Sequence, residues 1–195
     1  MVDNINFIFV GVGGQGIILA SDVVADVGLK LGLDVKKSEI HGMSQRGGSV
    51  ESHVRWADKV YSPIAGKGEI NYLIAMEILE SGRWASHVAP DGVVIINNQQ
   101  IAPLAVSTGL AKYPETEAIQ GIFAQRTKNV HLIEGLATAK KLGNPAAAGV
   151  VLLGYLSSML QYDVSAWLEV IEERVPQRFV KLNKEAFMEG RRLRQ

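Results

Sequence analysis

The apolar positions of this chain change period several times, and each change marks an element. Ile5 to Val10, "INFIFV", is a nearly continuous apolar run closed by glycines, the pattern of a parallel strand buried on both faces. From Ile17 the apolar residues step by three and four, at Ile17, Ala20, Val24, Val27 and Leu31, while Asp22, Asp26 and Lys30 fall on the opposite side. That spacing predicts an amphipathic helix, closed by Gly32. Asp34 to Ile40 reads as a second strand. Ser49 to Trp56 then alternates with period two: Val50, Ser52, Val54 and Trp56 share one face, and Glu51, His53 and Arg55 share the other. One face of this third strand is expected to be wet or to meet a partner.

Farther along, the pattern predicts a strand at Tyr72 to Ala75, a short helix ending at Trp84, a "PDG" turn at Pro90 and a strand from Val93 to Asn97. Glu115 to Arg126 reads as helix, Val130 to Ile133 as strand and Leu136 to Leu142 as helix. From Pro145 no strand is predicted. "PAAAGVVLLGYLSSML" is apolar all round and so reads as a buried helix, and Asp163 or Ser165 caps "AWLEVIEERV", which stops at Pro176. A last helix places Phe179, Leu182, Ala186 and Phe187 on one side. The alternation predicts one α/β domain over residues 1–195, with a doubly wound, mostly parallel, Rossmann-like sheet and a helical segment at 145–195 packed on it.

Composition narrows the chemistry. Twenty basic and twenty acidic side chains cancel, so no sequence-wide field draws the chain to nucleic acid or to an anionic membrane. The "RRLR" near the end reads as cations facing the negative end of a helix dipole. Without cysteine there is no disulfide, no thiolate zinc site, no thiol nucleophile and no ordinary ligation of an iron–sulfur cluster, so any redox centre is expected on a partner. No basic n-region opens the chain and no apolar run reaches the roughly 18 residues that span a bilayer, so a soluble cytoplasmic protein is expected.

His41, His53, His87 and His131 lack metal-ligand spacing, and no metal site is expected. His41 lies in a motif loop, where it acts either as a ligand or as a loop hydrogen bond. No G-x-S-x-G elbow, no Walker lysine and no Tyr-x-x-x-Lys pair occurs, which sets aside hydrolase, P-loop kinase and short-chain dehydrogenase readings. Glu77 ends a predicted strand and is either part of a polar site or the acid at a helix N-terminus.

"GVGGQG", Gly11 to Gly16, matches G-x-G-x-x-G between a predicted strand and a predicted helix. Glycines there allow a tight turn and bring a phosphate close to the free N–H groups of a helix N-terminus. They equally let the helix pack closely on the sheet. The ribose-binding acid of a dinucleotide site belongs roughly 20 residues on. There "DVKKSEIHG" offers Lys36 and Lys37, with Glu39 as a late acidic candidate. The lysines suit a 2′- or 3′-phosphate, or are simply solvated cations.

The loop "HGMSQRGGS" follows the second strand and is expected at the same sheet edge as the glycine loop, where open α/β sheets bind ligands. Arg46 supplies a planar fork of donors, Ser44 and Gln45 add polar groups, and Gly47 and Gly48 permit an unusual backbone path. On these residues alone the loop is an anion or partner site, or a plain hairpin.

"GVGGQG" followed by "EIHGMSQRGGSVESHVRW", then "YSPIAGKGEINYLIAMEILESGRW" and "GNPAAAGVVLLGYLSSML", resembles the gamma-type subunit or domain of the 2-oxoacid:ferredoxin oxidoreductases over nearly the whole chain. The "HGMSQRGGSV…HVR" stretch is most similar to the beta subunit of the indolepyruvate-using branch. The resemblance implies a complex that oxidatively decarboxylates a 2-oxoacid, forms an acyl-CoA and reduces ferredoxin. It implies that thiamine diphosphate and the iron–sulfur clusters sit on a larger partner subunit, that no cofactor is held by this chain alone, and that the isolated chain is catalytically silent.

In that reading Gly11, Gly13, Gly14 and Gly16 shape the first loop, while Gln15 and Arg46 contact an anionic ligand such as CoA, or the partner. Ser44 and Gln45 flank Arg46, and Gly47 and Gly48 let the ligand approach. Two departures stand out: Arg46 replaces a lysine common in pyruvate-using relatives, and Gly149 stands where many relatives have asparagine. Two competing functions are an independent dinucleotide-binding oxidoreductase and a purely structural docking subunit.

Overall fold

The computed structural model describes residues 4–41 and 48–194. In chain order the elements are β1 (Ile5–Val12), α1 (Ile17–Lys30), β2 (Asp34–His41), β3 (Ser49–Ala57), β4 (Ile70–Ala75), α2 (Ile78–Arg83), β5 (Val88–Asn97), α3 (Leu104–Ser107), α4 (Thr116–Phe123), β6 (Val130–Ile133), α5 (Gly135–Lys141), α6 (Ala148–Ser157), α7 (Val164–Arg174) and α8 (Val180–Arg192). The strands form a six-stranded sheet in the order β2-β3-β1-β4-β5-β6. β1, β4, β5 and β6 pair in parallel, whereas β3 runs antiparallel to both β1 and β2. The mostly parallel α/β sheet expected from the pattern is therefore present, with one reversed strand set into it.

Both faces of the sheet are covered, as a doubly wound fold requires. Phe7, Phe9, Ile74 and Ile95 pack on one side with α1 and with the helices that follow β6. Ile8, Val10, Leu73 and Ile96 pack on the other with Ile78 of α2 and Ile119 and Phe123 of α4. This two-sided burial explains why β1 reads as a continuous apolar run rather than an alternating one.

All ten residues of α6 are buried, as an all-apolar helix predicts. Its partner is α8, and the contact is made by backbone: a Cβ on Gly154 would lie 2.0 Å from the Phe187 carbonyl oxygen, and one on Gly190 would lie 1.9 Å from that of Val151. Glycine at both places lets the two helix axes approach until main chain meets main chain. The stripe that α8 buries is Val180, Asn183, Ala186, Phe187 and Gly190. Ala186 and Phe187 of the expected face are in it, Leu182 packs partly buried against the core, and Asn183 and Gly190 are added, Gly190 where the helices meet.

Three local expectations change. The side of β3 carrying Glu51, His53 and Arg55 is not wet at its middle: His53 is 1% exposed, because the edge of the Trp84 ring, with centroids 5.5 Å apart, closes over it. The "PDG" segment does not separate two elements. It is an excursion within β5, across which the pairing with β4 jumps from Ile70–Val88 to Tyr72–Val93. Gly92 sits there because a Cβ would lie 2.7 Å from the Ile70 carbonyl oxygen. Finally, α4 is shorter than its apolar pattern, beginning after Glu115 and ending at Phe123.

Candidate functional site at the carboxyl edge of the sheet

The carboxyl ends of β1, β4 and β5 bring three short segments together: the glycine loop, Met76–Glu77, and the run "NNQQ" at Asn97 to Gln100. In the glycine loop Gly11 and Val12 still belong to β1. Gly14 and Gly16 hold φ of 98° and 78°, a left-handed backbone that other residues adopt at a cost of about 1–2 kcal/mol. Gly16 is the N-cap of α1. Gly11 gives room rather than conformation, since a Cβ there would lie 2.7 Å from Gln15 Oε1.

The N–H of Gly13 donates to the carbonyl of Gly48 at 3.0 Å. The glycine loop and the end of the β2–β3 connection are thus hydrogen-bonded neighbours, as the shared sheet edge predicts. Ser44, Gln45, Arg46 and Gly47 lie outside the described residues. His41 closes β2 opposite Val50.

Gln15 is drawn inward. Its Oε1 accepts the Val12 N–H at 2.7 Å, and its Nε2 donates to the Met76 carbonyl at 2.9 Å and to Gln99 Oε1 at 3.1 Å. Asn97, buried at the end of β5, donates from Nδ2 to the same Met76 carbonyl at 3.2 Å and to Gln99 Oε1 at 3.0 Å, and its Oδ1 accepts the Leu136 N–H at 3.0 Å. Two carboxamides therefore converge on the Met76 carbonyl just past β4, Gln99 Oε1 bridges them, and the group ties β1, β4 and β5 to the start of α5. Beside them opens a cavity of about 270 Å³ lined by Gly14, Gln15, Met76, Asn97, Gln99, Leu136, Pro145, Ala146 and Ala148. Asn97 and Gln99 were not singled out from sequence. The signal was the run of four carboxamides placed directly after an apolar strand, at the edge where such sheets bind ligands.

The other sequence candidates sort clearly. Glu77, 1% exposed, caps α2: one carboxylate oxygen accepts the Glu80 N–H at 2.8 Å, and the other accepts the Ile101 N–H at 3.0 Å and the Tyr113 hydroxyl. Burial and the adjacent carboxylate push the Tyr113 phenol above its ordinary pKa. Of the two readings of Glu77, the helix-capping acid is the one realised. Lys36 pairs with Asp34, and Lys37 with Asp22 and Glu39. Lys36 belongs to a surface ion pair, and the half-buried Lys37 ties the edge strand to Asp22 of α1.

Sheet order also bears on dinucleotide binding. A ribose-binding acid works from the end of the strand next to β1. Here β3 occupies that place, and β2 lies two strand spacings away, roughly 10 Å from β1. Near the same edge, Ser49 Oγ donates to Glu80 Oε2 at 2.6 Å, and Arg83 pairs with the other Glu80 oxygen at 3.2 Å. Burial, and then the charge of Glu80, raise the Glu51 carboxyl. Among the described residues no group of three or more His, Cys, Asp or Glu side chains is placed to hold a metal ion, and no helix is long and apolar enough to cross a membrane.

Comparison with known proteins gives a consistent result. A family profile described as pyruvate ferredoxin/flavodoxin oxidoreductase matches residues 6–193. The chain is 37% identical over 188 residues to the indolepyruvate oxidoreductase subunit IorB of Archaeoglobus fulgidus, covering 95% of this chain and 93% of that protein. It is 36% identical over 185 residues to the subunit of the same name from Pyrococcus horikoshii, covering 93% and 92%. Among solved structures it superposes on the gamma subunit of a keto/oxoacid ferredoxin oxidoreductase from Geobacter sulfurreducens with a TM-score of 0.71 and 23% identity, covering 95% of each chain. It also superposes on a 2-oxoglutarate:ferredoxin oxidoreductase from Magnetococcus marinus, solved with 2-oxoglutarate, coenzyme A and succinyl-CoA, with a TM-score of 0.75 and 19% identity. That match covers 99% of this chain and 31% of the other.

Proposed function

The chain belongs to the pyruvate ferredoxin/flavodoxin oxidoreductase family, and from that premise we propose that it serves as the small, gamma-type subunit of an indolepyruvate-like 2-oxoacid:ferredoxin oxidoreductase. The complex decarboxylates a 2-oxoacid, transfers the remaining acyl group to the sulfur of coenzyme A and passes the released electrons to ferredoxin. Thiamine diphosphate and the iron–sulfur clusters reside on a larger partner subunit. This chain does not fit a cluster, because it has no cysteine to ligate one.

Its own part is to shape the mouth through which coenzyme A reaches the active site, and to dock the thiamine-diphosphate subunit at the same edge. Gly11, Gly13, Gly14 and Gly16 form the floor of that mouth, with Gln15 as its internal brace. Arg46, with Ser44, Gln45, Gly47 and Gly48, supplies the contact to an anionic group, whether on the ligand or on the partner.

The observation that carries this reading is the reversed strand β3 between β1 and β2. It displaces the strand end that would hold an adenosine ribose, and it brings Gly48, just before β3, into a hydrogen bond with Gly13 of the glycine loop. That arrangement disfavours a free-standing dinucleotide enzyme. Calorimetric titration with NAD, NADP and coenzyme A distinguishes the two, with micromolar binding of a nicotinamide nucleotide and none of coenzyme A as the result that sinks the proposal. Co-purification with a larger subunit, followed by assay of the complex with aryl pyruvates, tests the activity. In that complex Arg46→Ala is expected to raise the apparent KM for coenzyme A, and unchanged affinity and turnover would leave a purely structural subunit.

A further inference from the structure

The three carboxamides at the carboxyl edge do not have equal hydrogen-bonding capacity left. A side-chain amide offers two N–H donors and an oxygen that accepts up to two bonds. Gln15 has both donors engaged, by the Met76 carbonyl and Gln99 Oε1, and its oxygen accepts the Val12 N–H. Asn97 is likewise engaged, its oxygen by the Leu136 N–H and its nitrogen by the same two acceptors.

Both orientations are fixed by backbone N–H groups, which can only donate. Gln15 and Asn97 must therefore each present nitrogen to Gln99. This in turn fixes Gln99: its oxygen faces two donors, at 3.1 Å and 3.0 Å, and turning the amide over would set N–H against N–H. The Gln99 nitrogen consequently has two N–H donors that no partner among the described residues takes up, on a side chain that lines the cavity.

The cavity's lining selects the ligand chemistry. Among the described residues none that lines it is charged, and Leu136, Pro145, Ala146 and Ala148 make the wall apolar on one side. A phosphate or carboxylate would find no counter-charge among these side chains, and the apolar wall would strip water from one side of it. An uncharged acceptor, such as the carbonyl of an amide or thioester on an otherwise apolar chain, suits both walls. At about 270 Å³ the space lies below the roughly 300–1,000 Å³ of a pocket that encloses a whole drug-sized ligand, so it takes a segment of a longer one.

We infer that Gln99 is a ligand-binding residue whose N–H groups hold a carbonyl oxygen of an uncharged, amide-bearing segment, the pantetheine arm where the ligand is coenzyme A. This rests on the reading of the edge as a coenzyme A mouth and divides that site: the neutral arm lies in the Gln99 cavity, and the phosphates lie outside it. Asn97 and Gln15 are positioning residues that aim Gln99.

The test uses the full chain in its assembled complex, with three probes measured by calorimetry: coenzyme A, pantetheine, and adenosine 3′,5′-bisphosphate. Gln99→Glu keeps an oxygen for Gln15 and Asn97 to bond and replaces the N–H donors with a charged acceptor. Gln99→Met removes them without adding charge, and thermal unfolding checks that both variants fold. At least a tenfold loss of pantetheine and coenzyme A affinity in both variants is expected, with the bisphosphate within twofold for Gln99→Met. Unchanged pantetheine and coenzyme A binding in both overturns the assignment of Gln99 while leaving the coenzyme A mouth standing. An equal loss of the bisphosphate in Gln99→Met assigns the cavity to the anionic end and also overturns it. Failure of the wild-type complex to bind coenzyme A overturns both readings.

Discussion

His53 allows the packing of the sheet to be tested by pH. It is 1% exposed, neither ring nitrogen has a hydrogen-bond partner among the described residues, and the Trp84 ring meets it edge to face. Burial, and then the positive charges of His87 and Arg55, lower its pKa from 6.5 to about 4. The sign follows directly. The unfolded chain takes up a proton at His53 as pH falls through about 6.5, whereas the folded chain declines it until about pH 4. Stability attributable to this site is complete above the first value and is lost progressively between the two.

At 1.36 kcal/mol per unit of pKa difference, that shift corresponds to about 3 kcal/mol of lost stability at pH 4. Substitution by Leu removes both the titration and the two unpartnered nitrogens, and leucine fits an apolar site already bounded by Ile8 and Trp84. His53→Leu should therefore be as stable as wild type or more so at pH 7.5, and its stability should fall less on acidification. Urea unfolding followed by tryptophan fluorescence at pH 7.5, 6.5, 5.5 and 4.5 measures the difference, with the scale set by those two endpoints. His87 and His131 are also lowered by burial, but they are common to both proteins and cancel in the comparison. Parallel loss of stability in wild type and variant across this range would refute the account of His53.

Other consequences are as direct. Gly154→Ala or Gly190→Ala drives a methyl group into the backbone of the facing helix and should cost about 3 kcal/mol or more, visible as a large drop in the urea midpoint. Gly121→Ala, on the exposed side of α4 with nothing within 4 Å of the added carbon, should instead stabilise by up to about 1 kcal/mol. Glu77→Ala removes the cap of α2 and leaves the Ile101 N–H and the Tyr113 hydroxyl without their acceptor, a loss of about 2 kcal/mol or more that Tyr113→Phe should reproduce only in part. Lys37→Ala breaks ion pairs with Asp22 and Glu39 and should leave coenzyme A affinity within twofold, which calorimetry on the complex would check.

The elements that were legible in advance are those whose apolar period is long or whose ends carry chemistry. Ile17, Ala20, Val24 and Val27 define one face of α1 because each turn repeats the same burial. Asp163 marks the start of α7 because its side chain accepts the Ser165 N–H. What could not be read was strand direction. The alternation of Ser49 to Trp56 predicts a strand, yet nothing in a period of two says whether it runs with or against its neighbours. The packing of α6 on α8 was hidden for a related reason. A helix apolar all round has no face to read, and the feature that decides its contact, Gly154 against Gly190, lies in the absence of side chains.

The candidate site follows the same division. The glycine loop and the Arg-Gly-Gly loop were visible because glycine and arginine advertise themselves by type, and the Gly13–Gly48 hydrogen bond joins the two. Gln15 was visible too, read as a contact to an anionic ligand or to the partner, whereas its amide is engaged by Val12, Met76 and Gln99. The structure decides this through its neighbours: Val12 and Leu136 present backbone N–H groups that take the oxygens of Gln15 and Asn97, and so oblige both nitrogens to face Gln99. The residue with donors left for a ligand is thus set by two main-chain groups far apart in sequence. Exchanging Gln15 for Glu tests this chain of constraint. A carboxylate keeps the Val12 bond but has no hydrogen for the Met76 carbonyl or for Gln99 Oε1, and it sets like-signed oxygens against both. Gln99 is then drawn to turn its nitrogen toward residue 15 while Asn97 still holds its oxygen, so Gln15→Glu should weaken pantetheine binding, by less than Gln99→Met, while the distant α6–α8 contact is untouched.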